Sequence, residues 1–249
     1  MRDYPKPPFP KQQQELPGSF QKMDPKPDHG EESWRGAGRL EGMKAIITGG
    51  DSGIGRSVAV LFAREGANII IPYLEEDQDA QDTKRLVEQE GCQCLLIQCD
   101  LRQHAAVQQM VDLALQQFPH INILVNNAGI QHVARLEDFP PEKWQLLIEV
   151  MLTGPAMLTR AMLPQMRANN FGRVINIGSI HALVASPFKS AYVAAKHGLL
   201  GFSKVVALEN ADCNFTINTI CPAYVKTPLV EKQIAAQAKE HNLTEQQVV

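Results

Sequence analysis

Six short runs that are apolar on both faces alternate with five longer amphipathic segments, and this alternation constrains the chain more than any other feature. From Leu40 onward, Ala45-Ile46-Ile47, Ala67-Asn68-Ile69-Ile70-Ile71 and Cys94-Leu95-Leu96-Ile97 read as buried strands. Ile123-Leu124-Val125, Arg173-Val174-Ile175-Asn176-Ile177 and Phe215-Thr216-Ile217-Asn218-Thr219-Ile220 continue the series. Segments 53–65, 78–90, 103–117, 143–167 and 190–210 have helical spacing and length. Strands without a polar face, separated by helices, imply a parallel sheet covered on both sides. The expected architecture is one doubly wound α/β domain over residues 41–249. With 249 residues, 44% of them apolar, the chain can bury a single core of that size.

Residues 1–40 have a different composition. They hold seven of the 16 prolines and the run Gln12-Gln13-Gln14, and are poor in apolar residues. Such a stretch buries too little side chain to offset its ordering entropy and reads as an extended arm. It is either a solvated tail or one whose few large groups, Tyr4, Phe9, Phe20, Met23 and Trp34, dock on a neighbouring surface.

Composition removes several classes of function. Twenty-four basic residues against 27 acidic ones give a net charge of −3, without the basic excess of a nucleic-acid binder. Apolar runs such as 67–71 fall far short of the roughly 20 residues that span a bilayer. The start, Met1-Arg2-Asp3-Tyr4-Pro5-Lys6-Pro7-Pro8, has no apolar stretch of the signal-peptide kind. Five cysteines are too few, and odd in number, for a disulfide scaffold. Cys92, Cys94 and Cys99 cluster, but their alternation is strand-like and no second ligand pair follows, so buried reduced thiols are expected rather than a metal site. A cytoplasmic protein without nucleic-acid or membrane partners is expected.

Chemistry enters with the first strand, which runs into Thr48-Gly49-Gly50-Asp51-Ser52-Gly53-Ile54-Gly55-Arg56 and then a helix. Glycines at 49, 53 and 55 permit a tight turn and let a phosphate approach the helix N-terminus, where free N–H groups and the dipole favour anions. The spacing T-G-x-x-x-G-x-G differs from G-x-G-x-x-G, and alone it fits other phosphate ligands or a mere turn. Asn126-Asn127-Ala128-Gly129 closes the fourth strand. Tyr192-x-x-x-Lys196 opens a helix, with Ser179 thirteen residues before the tyrosine. An isolated Tyr-x-x-x-Lys pair is ordinary helix surface. One turn apart, though, the two side chains share a face, and the lysine charge favours a phenolate over a phenol of pKa about 10.

Together these segments resemble the short-chain dehydrogenase/reductase family across residues 41–230. The resemblance implies a Rossmann-type sheet of seven strands, a homotetramer, and NAD or NADP as cofactor. It implies cofactor contacts at Gly49, Ser52, Gly53, Ile54, Gly55, Asp100, Leu101, Asn127, Gly129, Tyr192, Lys196, Pro222, Val225 and Thr227. Ser179, Tyr192 and Lys196 become the catalytic set: the serine holds the substrate oxygen, the tyrosine exchanges its proton and the lysine supports the phenolate. At the end of the second strand the family's NAD-preferring members carry an acid. Tyr73 stands there, followed by Glu75 and Glu76, which would repel a 2′-phosphate. NAD is therefore expected, with NADP left open.

Within the family the resemblance is divided. The arm and first half ("KMDPKPD", "TGGDSGIGR", "YLEEDQDA") resemble the long-tailed general-stress or aldehyde-reductase branch. From about Leu124, "NNAGIQHVARLEDFP", "LVAS", "KSAYVAAKHG" and "TPLVEKQI" resemble D-3-hydroxybutyrate dehydrogenases. Gene fusion and plain divergence both account for the division. The second resemblance implies substrate contacts at Gln131, Ser179, His181, Lys189, Tyr192 and Gln233, with Lys189 as counter-charge to a carboxylate. Tyr224 takes the place of a lid tryptophan. Singly, Lys189, His181 and the glutamines are unremarkable loop or surface residues.

Three departures accompany this pattern. Met151 stands where the family has the asparagine of a proton relay, which implies a modified relay. Pro222-Ala223 replaces a Pro-Gly pair. Only 57 residues follow Tyr192, so the seventh strand is expected to be missing, leaving the sixth as an apolar, association-prone edge with the helix-spaced segment 231–247 beyond it. The expected function is hydride transfer between NAD and a short 3-hydroxy acid, 3-hydroxybutyrate/acetoacetate above all. A broad NAD(P)-linked aldehyde or ketone reductase and a non-catalytic dinucleotide-binding protein are the alternatives.

Overall fold

Among the residues described by the computed structural model (10, 12, 22–30, 33–223 and 225), six strands build one parallel sheet. The strands are β1 (Lys44–Ile47), β2 (Asn68–Tyr73), β3 (Cys94–Gln98), β4 (Ile123–Asn126), β5 (Gly172–Ile177) and β6 (Phe215–Ile220). The helices are α1 (Gly53–Arg64), α2 (Asp77–Gln89), α3 (His104–Gln117), α4 (Pro141–Ile148), α5 (Gly154–Ala168) and α6 (Ser190–Glu209). The sheet order is β3-β2-β1-β4-β5-β6. Ala45 of β1 pairs in register with Ile69 on one side and Ile123 on the other. Chain direction across the sheet therefore reverses between β1 and β4, and a crevice opens at their carboxyl ends.

Successive strand residues face opposite layers, which is why the strands lack a polar face. Ile46, Ile70, Leu124, Val174 and Ile217 pack against Met110, Leu158, Met162 and Val206 of α3, α5 and α6. Ala45, Ile47, Ile69, Ile71 and Val125 pack against Ala59, Ala63 and Val87 of α1 and α2. β6 pairs only with β5 among the described residues, with Phe215 and Ile217 buried and Ile220 exposed. The segment 231–247 lies outside the described residues.

The segment read as a single helix over 143–167 is two helices joined by a π-helical turn, Glu149–Thr153. It begins earlier, at Pro141, because proline suits a first helical position. The wide turn falls just before Pro155, which has no N–H for a carbonyl four residues back and would crowd it in a regular helix. The whole stretch Pro141–Ala168 is long and apolar enough to cross a membrane by composition, which short apolar runs did not reveal. In the fold it packs against α3 and α6.

The described part of the arm is docked. Met23 is buried, and residues 34–40 are gathered on Glu65, which follows α1. The Glu65 carboxylate accepts from Trp34 Nε1 at 3.0 Å, Ala37 N at 3.0 Å, Arg39 N at 3.1 Å and Arg39 Nη2 at 2.7 Å. These donors, the Arg39 guanidinium first, hold its pKa far below the usual carboxylate range. Tyr4, Phe9 and Phe20 lie outside the described residues.

Candidate active site

At the crevice, the loop between β1 and α1 is fixed from three sides. Gly49 and Gly53 adopt left-handed φ values of +61° and +52°, and a Cβ on Gly55 would overlap the Gly49 carbonyl oxygen. From β4, Asn127 Nδ2 donates to the carbonyls of Thr48 and Gly49, both at 3.0 Å, while Thr48 Oγ1 accepts from the N–H groups of Asn127 and Ala128. Asn126 turns the other way, donating to Asn176 Oδ1 at 2.8 Å beneath the site. On α1, the wholly buried Arg56 donates to the Asp51 carbonyl and, across to α2, to Thr83 Oγ1 and the Asp79 carbonyl.

Ser52 does not cap α1 with its side chain, and no acid stands in the first turn, so the N–H groups at Gly53 and Ile54 present an anion-binding end. The glycine cradle and this donor set fit the pyrophosphate of a dinucleotide. Around it the field is negative: burial raises the pKa of Asp51, and Glu76 and Asp79 add to the rise. The Tyr73 hydroxyl bonds the Asp77 carboxylate, which raises the phenol's pKa. Asp100, beyond β3, is fixed by Arg102 Nε at 2.8 Å, and this contact lowers its pKa. Leu101 packs close to Gly154.

At the other end of the crevice, Gly178 N donates to Ile220 O at 2.7 Å and Ile180 N to Pro222 O at 2.8 Å, bringing residues 220–222 alongside Ser179. Ser179 starts a 3₁₀ turn, Ile180–Ala182, and its Oγ accepts from His181 N at 3.1 Å. On α6, Lys196 lies one turn beyond Tyr192, its Nζ 5.7 Å from the ring centre and donating to Ile177 O at 2.6 Å. Burial pushes Lys196 down to about 8. Tyr192 is raised above the ordinary phenol range by burial, with its hydrogen bond to Ser179 opposing. Burial thus leaves the phenol protonated at neutral pH in the protein alone, with the Lys196 ammonium against the Ile177 carbonyl.

A second group of polar side chains adjoins these residues. Lys189, at the N-cap of α6, is 1% exposed, and burial lowers its pKa. Phe188 before it has φ +64°, a left-handed conformation that a bulky residue holds only under tertiary constraint. Ala134 N donates to Phe188 O at 3.0 Å, laying residues 131–134 beside this turn. Gln131 Oε1 accepts from His132 N, while its Nε2 is buried with no hydrogen-bond partner among the described residues. His181, expected as a carboxylate contact, has Nδ1 3.3 Å from Ser179 Oγ and Nε2 2.7 Å from Ser186 Oγ, so both ring nitrogens are engaged within the protein. Met151, in the π turn, is 1% exposed, its sulfur close to Gly129, in a cluster with Phe139, Ala191 and Ala195 under Tyr192. Val225 is exposed, and Tyr224, Thr227 and Gln233 lie outside the described residues.

Thr48, Arg56, Ser186 and Phe188 were not singled out in the sequence. Arg56 left a signal, since it shares helical spacing with the buried Ala59, Val60 and Ala63. Burial also pushes Cys94 up to about 12 and Cys99 up to about 11, which keeps both as thiols; these two are buried as expected, whereas Cys92 is only half-buried.

Fold, glycine cradle and the Ser179, Tyr192 and Lys196 cluster converge on one class. The chain belongs to the short chain dehydrogenase family, whose profile matches residues 43–238, and it is an oxidoreductase acting on CH–OH groups. It is 46% identical over 208 residues to D-beta-hydroxybutyrate dehydrogenase of Cupriavidus necator, covering 84% of this chain and 80% of that one. The D-beta-hydroxybutyrate dehydrogenase of Rhizobium meliloti is 45% identical over 206 residues, 82% of this chain and 80% of that one. General stress protein 39 of Bacillus subtilis is 35% identical over 231 residues, 92% of this chain and 80% of that one. The first two matches extend well upstream of Leu124, and the third reaches into the arm. A solved structure from Sinorhizobium meliloti 1021, assigned to the short-chain alcohol dehydrogenases, matches with TM-score 0.74 at 28% identity over 82% of each chain.

Proposed function

We propose that the protein interconverts a short 3-hydroxy acid and its 3-keto acid, 3-hydroxybutyrate and acetoacetate in the first place, with NAD. The observation that carries this reading is the buried polar pair beside the candidate catalytic cluster: a lysine 1% exposed and a glutamine amide donor with no hydrogen-bond partner among the described residues. A neutral alcohol pocket has no use for a buried lysine charge or for an unmet amide donor, since burying each costs desolvation. A carboxylate offers both charge and acceptors, and Lys189 and Gln131 would hold it at the end of the pocket.

In this reading the glycine cradle at Gly49, Gly53 and Gly55 would hold the dinucleotide, whose nicotinamide would supply the hydride acceptor. Ser179 donates to the substrate oxygen, Tyr192 takes the hydroxyl proton, and Lys196 orients toward the phenolate as it forms. Because Tyr192 rests above the ordinary phenol range, the positive charge of the oxidised cofactor and of Lys196 must lower it during turnover. NAD is favoured over NADP by Asp51, Glu75, Glu76 and Asp79, whose charges oppose a 2′-phosphate. Val205 and Leu208, exposed on α6, support a homo-oligomer, and five free thiols fit the cytoplasm.

The test is Lys189→Ala. Losing a charge-assisted contact of about 1.5–3 kcal/mol should lower kcat/KM for 3-hydroxybutyrate by roughly 10- to 150-fold, with a neutral alcohol little affected. Equal losses for both substrates would remove Lys189 from the carboxylate site. The likeness to general stress protein 39 over 92% of the chain favours, as a second reading, a broad NAD(P)-linked reductase. It predicts a preference for neutral carbonyls.

A further inference from the structure

We propose that Ser186 is a positioning residue that holds His181 in the Nδ1–H tautomer, so that His181 donates to Ser179 and leaves the serine's single proton for the substrate oxygen. The inference rests on the reading of Ser179 as the hydroxyl that donates to substrate.

Ser179 Oγ already accepts from His181 N at 3.1 Å and bonds Tyr192. His181 Nδ1 is a third neighbour, at 3.3 Å. Were Nδ1 a bare acceptor, it would draw the only Ser179 proton toward the imidazole and away from Tyr192 and the substrate. With Nδ1 protonated, the serine oxygen accepts from the ring and its proton points into the site. A neutral imidazole carries one N–H, so the tautomer is decided at Nε2. There the structure places a hydroxyl, Ser186 Oγ, at 2.7 Å. A hydroxyl can donate to Nε2, and the bonds then run in one direction: Ser186 to His181, His181 to Ser179, Ser179 to substrate.

Two further features fit. His181 is held neutral by burial first and then by the charge of Lys189, which disfavours the imidazolium that would make the tautomer irrelevant. Ser186 precedes Pro187, which restricts its backbone to extended conformations, and the left-handed Phe188 follows, so its hydroxyl is set by a stiff turn.

The experiment is long-range ¹H–¹⁵N spectroscopy of histidine rings in the full chain, with His181→Gln to assign the signal, alongside Ser186→Ala and Ser186→Thr. The proposal expects an Nδ1–H tautomer at His181 in the wild type and in Ser186→Thr, and a shift toward Nε2–H in Ser186→Ala. It also expects kcat for 3-hydroxybutyrate to fall about five- to tenfold in Ser186→Ala at little-changed KM, with Ser186→Thr restoring most of it. A wild-type His181 found as Nε2–H overturns the proposal, even if the alanine variant fails to fold. So does an alanine variant with unchanged tautomer and kcat. A wild type that does not turn over 3-hydroxybutyrate counts against the hydroxy-acid reading alone, because the tautomer is read without turnover.

Discussion

Lys196 shows what a candidate catalytic position costs a fold. Its ammonium is 4% exposed and held by one carbonyl, and burial brings its pKa from the ordinary 10.5 to about 8. Below pH 8 both folded and unfolded chains carry the proton, and the folded chain bears the full desolvation penalty. Between about 8 and 10.5 the unfolded chain binds more protons, so this group makes stability rise with pH, and above 10.5 the penalty is gone. Lys196→Met has no such titration. Denaturant unfolding at pH 7 and pH 10 should therefore show the wild type gaining stability relative to the variant at the higher pH. A difference that stays constant would mean that the ammonium is not desolvated.

Among the elements, the junction after α1 is tied most closely to a distant segment. Glu65 gathers four donors from residues 34–39, and its carboxylate is kept ionised well below the usual range. Its stabilising contribution is complete above the unfolded value of about 4.5 and is lost as pH falls below that. Glu65→Gln should melt at a lower temperature than the wild type at pH 7, and the two should converge in thermal melts carried toward pH 3. Parallel curves would show that the ionised carboxylate is not what pins the arm. The strands and helices were legible because a buried parallel sheet imposes apolar runs and 3.6-residue periods, and their ends fall within about two residues of the expected ones. Docking of the arm through groups such as Met23 and Trp34 was one of two readings the sequence left open, but its anchor at Glu65 was not legible. A glutamate acquires its meaning only when Trp34 and Arg39 meet it across the fold. The π turn was hidden for a similar reason: Pro155 marks a break, but the helix resumes because α5 still has a face to bury.

At the scale of the molecule, the sheet order sets the two halves of the candidate site at one switch point. β1 and β4 deliver the glycine cradle and its Asn127 strap, while β5, β6 and α6 deliver Ser179, Tyr192 and Lys196. The motifs that carry local geometry were visible in the sequence. What packing alone decides was not: the strained Phe188 that precedes Lys189, the engagement of both His181 nitrogens, and the burial of Arg56. Phe188, Lys189 and His181 lie beside the candidate catalytic cluster, and the proposed function requires that they form a site for a carboxylate. The most direct measurement is kcat/KM of the wild type for 3-hydroxybutyrate and for 2-butanol, a neutral alcohol of similar length, with NAD and with NADP. The account predicts a preference for the acid of roughly 10-fold or more, the worth of one charge-assisted contact, and faster turnover with NAD. A preference for the neutral alcohol would contradict it.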